Sequence, residues 1–364
     1  MKILMLLPFM LMLMLCFNCS SDDDTLASNS TGDPSKWLIP SDEVFDGGPG
    51  KDGIPSVDSP QFELANADFI DDDDLVVGIV SENEARAYPH FILDWHEIVN
   101  DDIGDLSIAI VYCPLTGTAL GWDRTVGDSH TTFGVSGLIY NNNIIPYDRA
   151  TGSNWSQMRM ECVNGQLIKT MPTTHQVVET TWATWKKLYP NTKIMSTDTG
   201  HSRNYGRYPY GSYKTGSNLL FPISESDDRL HAKERVHGVI LENRAEIFRF
   251  SSFEQAAVIQ HRSQDSDIII VGSKKDNFMV SFVNRSINGE RLTFHIPEEL
   301  KVDSGFNSPI LIEDQLGNQW DIFGHAVSGP NQGEQLVTTQ SMMGYWFSFH
   351  AFYPNPVIYD FSGN

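Results

Sequence analysis

The sequence predicts a mainly β fold, a β-rich α+β body made of two tandem, pseudo-symmetric units with a few short helices. Three observations predict it. Short β-branched and aromatic runs, such as residues 75–80, 106–112 and 268–272, are separated by Gly, Asn and Asp, the pattern of strands between turns. Helical periodicity is scarce; its best stretch is residues 181–188, where Trp182, Trp185 and Leu188 recur every three residues. The third observation is that the chain repeats itself, the signature of stacked or duplicated units.

The repeat is read from aligned segments. Val77-Gly78-Ile79-Val80-Ser81-Glu82-Asn83 lines up with His237-Gly238-Val239-Ile240-Leu241-Glu242-Asn243, and Ile108-Ala109-Ile110-Val111 with Ile268-Ile269-Ile270-Val271. Asp123-Arg124 then meets Asn284-Arg285, Thr132-Phe133 meets Thr293-Phe294, Trp182 meets Trp346, and Tyr189-Pro190-Asn191 meets Tyr353-Pro354-Asn355. The order is kept and the offset drifts only by small insertions. The domains expected are a signal peptide over 1–18, a lipidated stalk and lead-in over 19–60, and a first β-rich repeat over 61–200. A Gly- and Tyr-rich connector over 201–229 and a second, degenerate repeat over 230–364 complete the chain.

The N-terminus predicts the address. Lys2 is followed by an apolar run from Ile3 to Phe17 and then by Asn18-Cys19-Ser20-Ser21-Asp22-Asp23-Asp24, a basic start, short apolar core and polar boundary that describe an export signal. The run is short for a membrane span of about 20 residues. A cysteine at this boundary resembles a bacterial lipoprotein signal, with Cys19 as the lipidated residue and Cys16 as the alternative. The expected location is the cell envelope outside the cytoplasm, held to a membrane by the lipid. Residues 20–60, rich in Ser, Asp, Gly and Pro, read as a flexible stalk. The formal net charge of −22 argues against nucleic acid as a partner, because its phosphates are repelled by an acidic surface. An extracytoplasmic site also disfavours dehydrogenase and kinase readings, whose nucleotide cofactors are scarce there.

Reactive side chains present in one copy and absent from the other are the candidates for function. Cys113, in Val111-Tyr112-Cys113-Pro114-Leu115-Thr116-Gly117, stands where a strand gives way to a tight turn, and its counterpart is Ser273. A thiol becomes nucleophilic beside a base or a positive charge, and His96, Arg124 and Arg149 are the partners considered. In the catalytic reading Cys113 is the nucleophile, His96 the general base, and Arg124, Asp148 and Arg149 complete the site. Asp148 also has a structural reading, because an Asp and a Trp recur in the second copy as Asp314 and Trp320. Ser153, Gln157, Arg203 and Tyr205 are substrate-binding candidates. His96 and Cys113 are equally candidate ligands for a copper or zinc ion, the metals that imidazole and thiolate suit. His90 is a less favoured ligand. A Cys113–Cys162 disulfide is a third reading, with Ser273 and Ala326 at the matching positions. The connector tyrosines Tyr205, Tyr208, Tyr210 and Tyr213 either bind a glycan or peptide or pack the halves together, and packing is favoured.

Several of these segments carry a family resemblance. His96-Glu97-Ile98-Val99-Asn100-Asp101, Tyr112-Cys113-Pro114-Leu115-Thr116-Gly117-Thr118-Ala119, Phe133-Gly134-Val135-Ser136-Gly137, Tyr147-Asp148-Arg149 and Arg229-Leu230 with Lys233-Glu234 resemble the bacterial and archaeal domain of unknown function 3179. The resemblance runs from about Asp52 to Val239 and adds Lys233 to the binding candidates. The family pattern often carries a second cysteine three residues after the first, where this chain has Thr116. The expectation is an extracytoplasmic lipoprotein, either an enzyme with a Cys/His site in the first repeat or a non-catalytic binder of a small molecule, glycan, peptide, copper or zinc between the repeats.

Overall fold

The continuous apolar runs become strands buried on both faces. In Leu106–Cys113 every residue from Ile108 onward is buried, with Ala109, Val111 and Cys113 entering one core and Ile108, Ile110 and Tyr112 another. Asp267–Ser273 behaves alike: Ile269 and Val271 face one core, Ile268 and Ile270 a second. A strand with solvent on one side would alternate with polar residues; these do not, because both sides are covered.

The computed structural model describes residues 35–82, 84–263, 266–285, 289, 291–297, 302–303 and 308–361. The signal peptide and Cys19 lie outside the described residues. The described residues belong to one compact unit, Gly32–Asn364, and no described helix is long and apolar enough to cross a membrane.

Three sheets build the first half. Val178–Thr181, Leu75–Ser81, Glu84–Pro89 and Lys193–Met195 lie side by side, the last parallel to its neighbour, with Phe62–Leu64 at the edge. Ile98–Ile103, Leu106–Cys113 and Thr118–Asp123 form a meander, and Phe133–Tyr140, Asn143–Asp148, Asn154–Ser156 and Glu161–Asn164 form a second. Helix α1 (His90–His96) follows the first sheet's hairpin, and α2 (Trp182–Leu188) follows Val178–Thr181, its N-terminus capped by the Thr181 side chain.

In the second half Ser341–Tyr345, Arg235–Leu241, Arg244–Arg249 and Val357–Tyr359 lie in that order, the last again parallel to its neighbour. Ala257–Arg262, Asp267–Ser273 and Phe278–Val283 form a meander, and Phe294–His295, Ile312–Asp314, Gln319–Trp320 and Ala326–Ser328 a further sheet. Helix α3 (Trp346–Phe352) follows Ser341–Tyr345.

The halves share their cores crosswise. Trp182 and Trp185 of α2 and Val76 and Ala87 of the first half pack with Ile269, Val271, Phe282 and Trp320 of the second. Trp346 and Phe349 of α3, with Val236 and Ile247, pack with Ala109, Val111, Trp122 and Trp155 of the first. Each helix is admitted by a glycine. A Cβ on Gly78 would come within 2.3 Å of the Trp185 ring, and one on Gly238 within 2.0 Å of the Phe349 ring.

Candidate functional site

Cys113 ends its strand, and the chain turns back through Pro114-Leu115-Thr116-Gly117. Gly117 has φ +62°, a left-handed conformation that glycine adopts without strain, and its N–H donates to the Cys113 carbonyl at 2.8 Å. The turn is clamped from the second half, where the Tyr345 N–H donates to Thr116 O at 2.7 Å. A Cβ on Gly117 would lie 3.1 Å from the Tyr345 ring.

Below the turn is a buried network. Gln157, fully buried, accepts from Thr118 Oγ1 and Asn143 Nδ2, each at 2.7 Å, and donates to Val111 O at 2.8 Å and Thr118 O at 3.0 Å. Asn143 also donates to Thr116 Oγ1 at 3.0 Å. Gln157, a binding candidate in the sequence, therefore holds the Cys113 turn in place.

Above the turn lies the connector. Tyr213 Oη donates to Leu115 O at 2.9 Å, Tyr208 Oη to Pro114 O at 3.4 Å, and Tyr210 Oη to Glu97 Oε1 at 3.1 Å. Tyr208, Tyr210 and Tyr213 pack over the Cys113 turn and Glu97 of the first half, and Tyr205 over His96. Lys233 fastens the same connector: buried beneath it, Nζ donates to the carbonyls of Tyr213, Gly216 and Asn218 and lies 3.4 Å from the Tyr213 ring centroid.

Glu97, which motif reading passed over, is the ionisable group of the site. It caps α1 with φ +58°, its N–H donating to Leu93 O at 2.7 Å, and it is 3 % exposed. Burial raises its carboxyl to about 7, against a smaller opposing effect of the Tyr210 hydroxyl. It lines a cavity of about 210 Å³ whose other walls are mostly apolar, among them Ile54, Leu115, Val135, Ile139 and Ile144. Cys113 belongs to the same core cluster as Leu115, Val135, Ile139 and Ile144. Its thiol faces the carbonyl of Asn142 at 3.6 Å. Burial pushes it up to about 11; Thr116 opposes this and Glu97 adds to it.

Among the described residues, neither ring nitrogen of His96 hydrogen-bonds the Cys113 thiol. His96 Nδ1 lies 2.7 Å from Pro55 O and Nε2 2.7 Å from Tyr205 Oη. A carbonyl only accepts, so Nδ1 carries the proton and Nε2 accepts from Tyr205, an assignment made from the network. Burial lowers this histidine to about 4. His96 and Tyr205 thus tie the lead-in to the connector.

The remaining candidates are dispersed. Arg124 pairs with Asp102 at the opposite end of the hairpin, where its N–H meets Ser107 O, roughly 20 Å from Cys113 at about 3.4 Å per strand residue. Arg149 binds the lead-in, reaching Asp52 and Ser56 at 3.0 Å and Asp58 at 3.2 Å. Asp148 accepts from Thr151 N at 2.7 Å and Trp155 Nε1 at 3.0 Å, as Asp314 accepts from Leu316 N at 2.8 Å and Trp320 Nε1 at 3.0 Å. Ser153 Oγ accepts from Leu167 N at 3.1 Å, and Arg203 donates to Ser202 O at 3.2 Å. Cys113 and Cys162 are both free and buried, so the disulfide is not formed. Among the described residues, no three His, Cys, Asp or Glu side chains stand where they would hold a metal.

Fold and site together describe a β-rich protein with an apolar, carboxyl-bearing pocket roofed by its own connector. The chain belongs to the family described as a protein of unknown function, DUF3179, whose model matches residues 51–356. The match runs past Val239, where the sequence resemblance stopped, and takes in the second half. No curated protein and no solved structure matches the chain.

Proposed function

We propose that the protein is an exported lipoprotein, tethered through Cys19, whose first half binds a small, largely apolar molecule in the cavity beside Glu97. The observation that carries this reading is the cavity itself, about 210 Å³ with apolar walls and one carboxyl. Ligand sites combine an apolar lining with a few placed polar groups. A dry cavity of about 150 Å³ accepts benzene, so this one suits a substituted monocyclic ring or an acyl chain of roughly six to eight carbons. Each buried methylene contributes about 0.8 kcal/mol, and Glu97 orients the polar end. The test is solvent extraction of the full-length protein, purified from membranes in mild detergent, followed by mass spectrometry. A single small apolar species is expected at near one per chain, and its loss in an Ile144→Phe variant whose circular dichroism is unchanged. Empty extracts, together with no shift in melting temperature on adding hexanoate, octanoate or substituted benzenes, would refute the reading.

A second, catalytic reading rests on the place of Cys113 in the core cluster that includes the cavity walls Leu115, Val135, Ile139 and Ile144. That reading requires Cys113 to be alkylated by iodoacetamide in the native protein near neutral pH.

We also read the halves as copies of one unit. The recurring strand order, the pairing of Gly78 with Trp185 and Gly238 with Phe349, and the buried pairs Asp148–Trp155 and Asp314–Trp320 support this.

A further inference from the structure

A second cleft, about 560 Å³, lies between residues 69–74, Phe91 and Asp94 of α1, and connector residues 205–214. It is lined by the rings of Phe69, Phe91, Tyr205 and Tyr208 and by Asp71, Asp74 and Asp94. Asp94 is 3 % exposed, and its Oδ1 has no hydrogen-bond partner among the described residues. Tyr112 approaches it from the strand side without hydrogen-bond geometry. The other oxygen, Oδ2, accepts from Lys214 Nζ at 2.7 Å. That same ammonium lies 4.2 Å from the Tyr208 ring centroid, within cation–π range.

The chain therefore already seats one alkylammonium in this cleft, on a buried carboxylate and an aromatic face. Lys214 belongs to the connector, so the cation comes from a segment outside both halves. Arg207 is the other cation of the lining; three carboxylates face it and Lys214, and displacing Lys214 leaves the wall two charges negative. The unpartnered Asp94 oxygen supplies one more acceptor than Lys214 uses.

We propose that this cleft binds an organic ammonium ion, a primary amine or polyamine, on Asp94 and Tyr208, and that Lys214 is its built-in competitor. The chain's net charge of −22 draws cations toward it without specificity, so the test turns on the sign of one substitution. Binding of 1,5-diaminopentane to the full-length protein is measured by isothermal titration calorimetry in 0.15 M salt. Lys214→Met is expected to tighten binding at least tenfold. Lys187→Met, the same charge change on the exposed face of α2, is expected to alter it less than twofold. Asp94→Asn is expected to abolish binding, and Tyr208→Leu to weaken it about fivefold. The proposal is overturned if Lys214→Met binds no tighter than Lys187→Met, or if maltose binds the cleft and the diamine does not, which would make it a glycan site. Should Asp94→Asn fail to fold, the Lys214 and Lys187 pair still decides.

Discussion

Replacing Glu97 with Gln tests the electrostatics of the site directly. Glutamine keeps the acceptor for Tyr210 and removes the ionisation. Burial raises the carboxyl from 4.5 to about 7, so between those values the folded protein keeps a proton that the unfolded chain has released. Stability then falls as pH rises through this window, because the native state binds more protons. At 1.36 kcal/mol for each tenfold in the ionisation constant, the loss is complete above pH 7 and comes to about 3 kcal/mol. His96 works with the opposite sign: burial lowers it from 6.5 to about 4, and stability falls as pH drops through that range. Between 4.5 and 6.5 the two slopes oppose each other, so the wild-type profile conceals both. The difference between Glu97→Gln and wild type isolates one of them. Urea unfolding followed by tryptophan fluorescence should show that difference growing by about 3 kcal/mol in favour of the variant from pH 4 to pH 8. Parallel profiles for the two proteins would mean that Glu97 is solvated in the folded protein, with no desolvated carboxyl in the pocket.

Other outcomes follow from the packing. Gly238→Ala sets a methyl group against the Phe349 ring and should cost more than the 1–3 kcal/mol usual for overpacking, seen as a fall in melting temperature. Gly206→Ala, whose Cβ meets nothing nearer than 3.5 Å, should change stability by less than about 0.5 kcal/mol. Cys113 and Cys162, buried with thiols pushed up to about 11 and about 12, should resist a disulfide reagent at pH 8 and react only after denaturation; prompt labelling of Cys113 would instead support the catalytic reading. Lys233→Met leaves the carbonyls of Tyr213, Gly216 and Asn218 without their shared donor, and limited proteolysis should then cut the connector faster by at least tenfold.

Sequence patterning carried the secondary structure where one principle dominated. The runs at 75–80, 106–112 and 268–272 are strands because β-branched residues fill a pleat covered on both sides, and residues 181–188 hold α2 because Trp182, Trp185 and Leu188 share a buried face. Helix α1 is not legible from periodicity, because His90, Ile92, Leu93, Asp94 and His96 are all buried and leave no simple apolar stripe. The Cys113 turn could be seen in the chain, since Pro114 and Gly117 mark it. Its partner could not. A glutamate between Trp95-His96 and Ile98-Val99 looks like surface charge, and only the left-handed C-cap conformation carries its carboxyl inward. The one available clue was its apolar surroundings on both sides. His96 reads as the base because it lies in the segment that carries the family resemblance; its two nitrogens are instead committed to Pro55 and Tyr205, a pairing that requires the fold.

The crosswise cores imply that neither half is a finished object. Cut between residues 200 and 230, each fragment would carry an outward helix bearing two large buried rings and, elsewhere, an open apolar hollow meant for the other's helix. Such fragments should complement each other when co-expressed and precipitate when expressed apart. The second half, whose sequence carries no cysteine, is thereby indispensable for a reason unrelated to chemistry: it supplies the stopper for the half that holds Cys113 and Glu97.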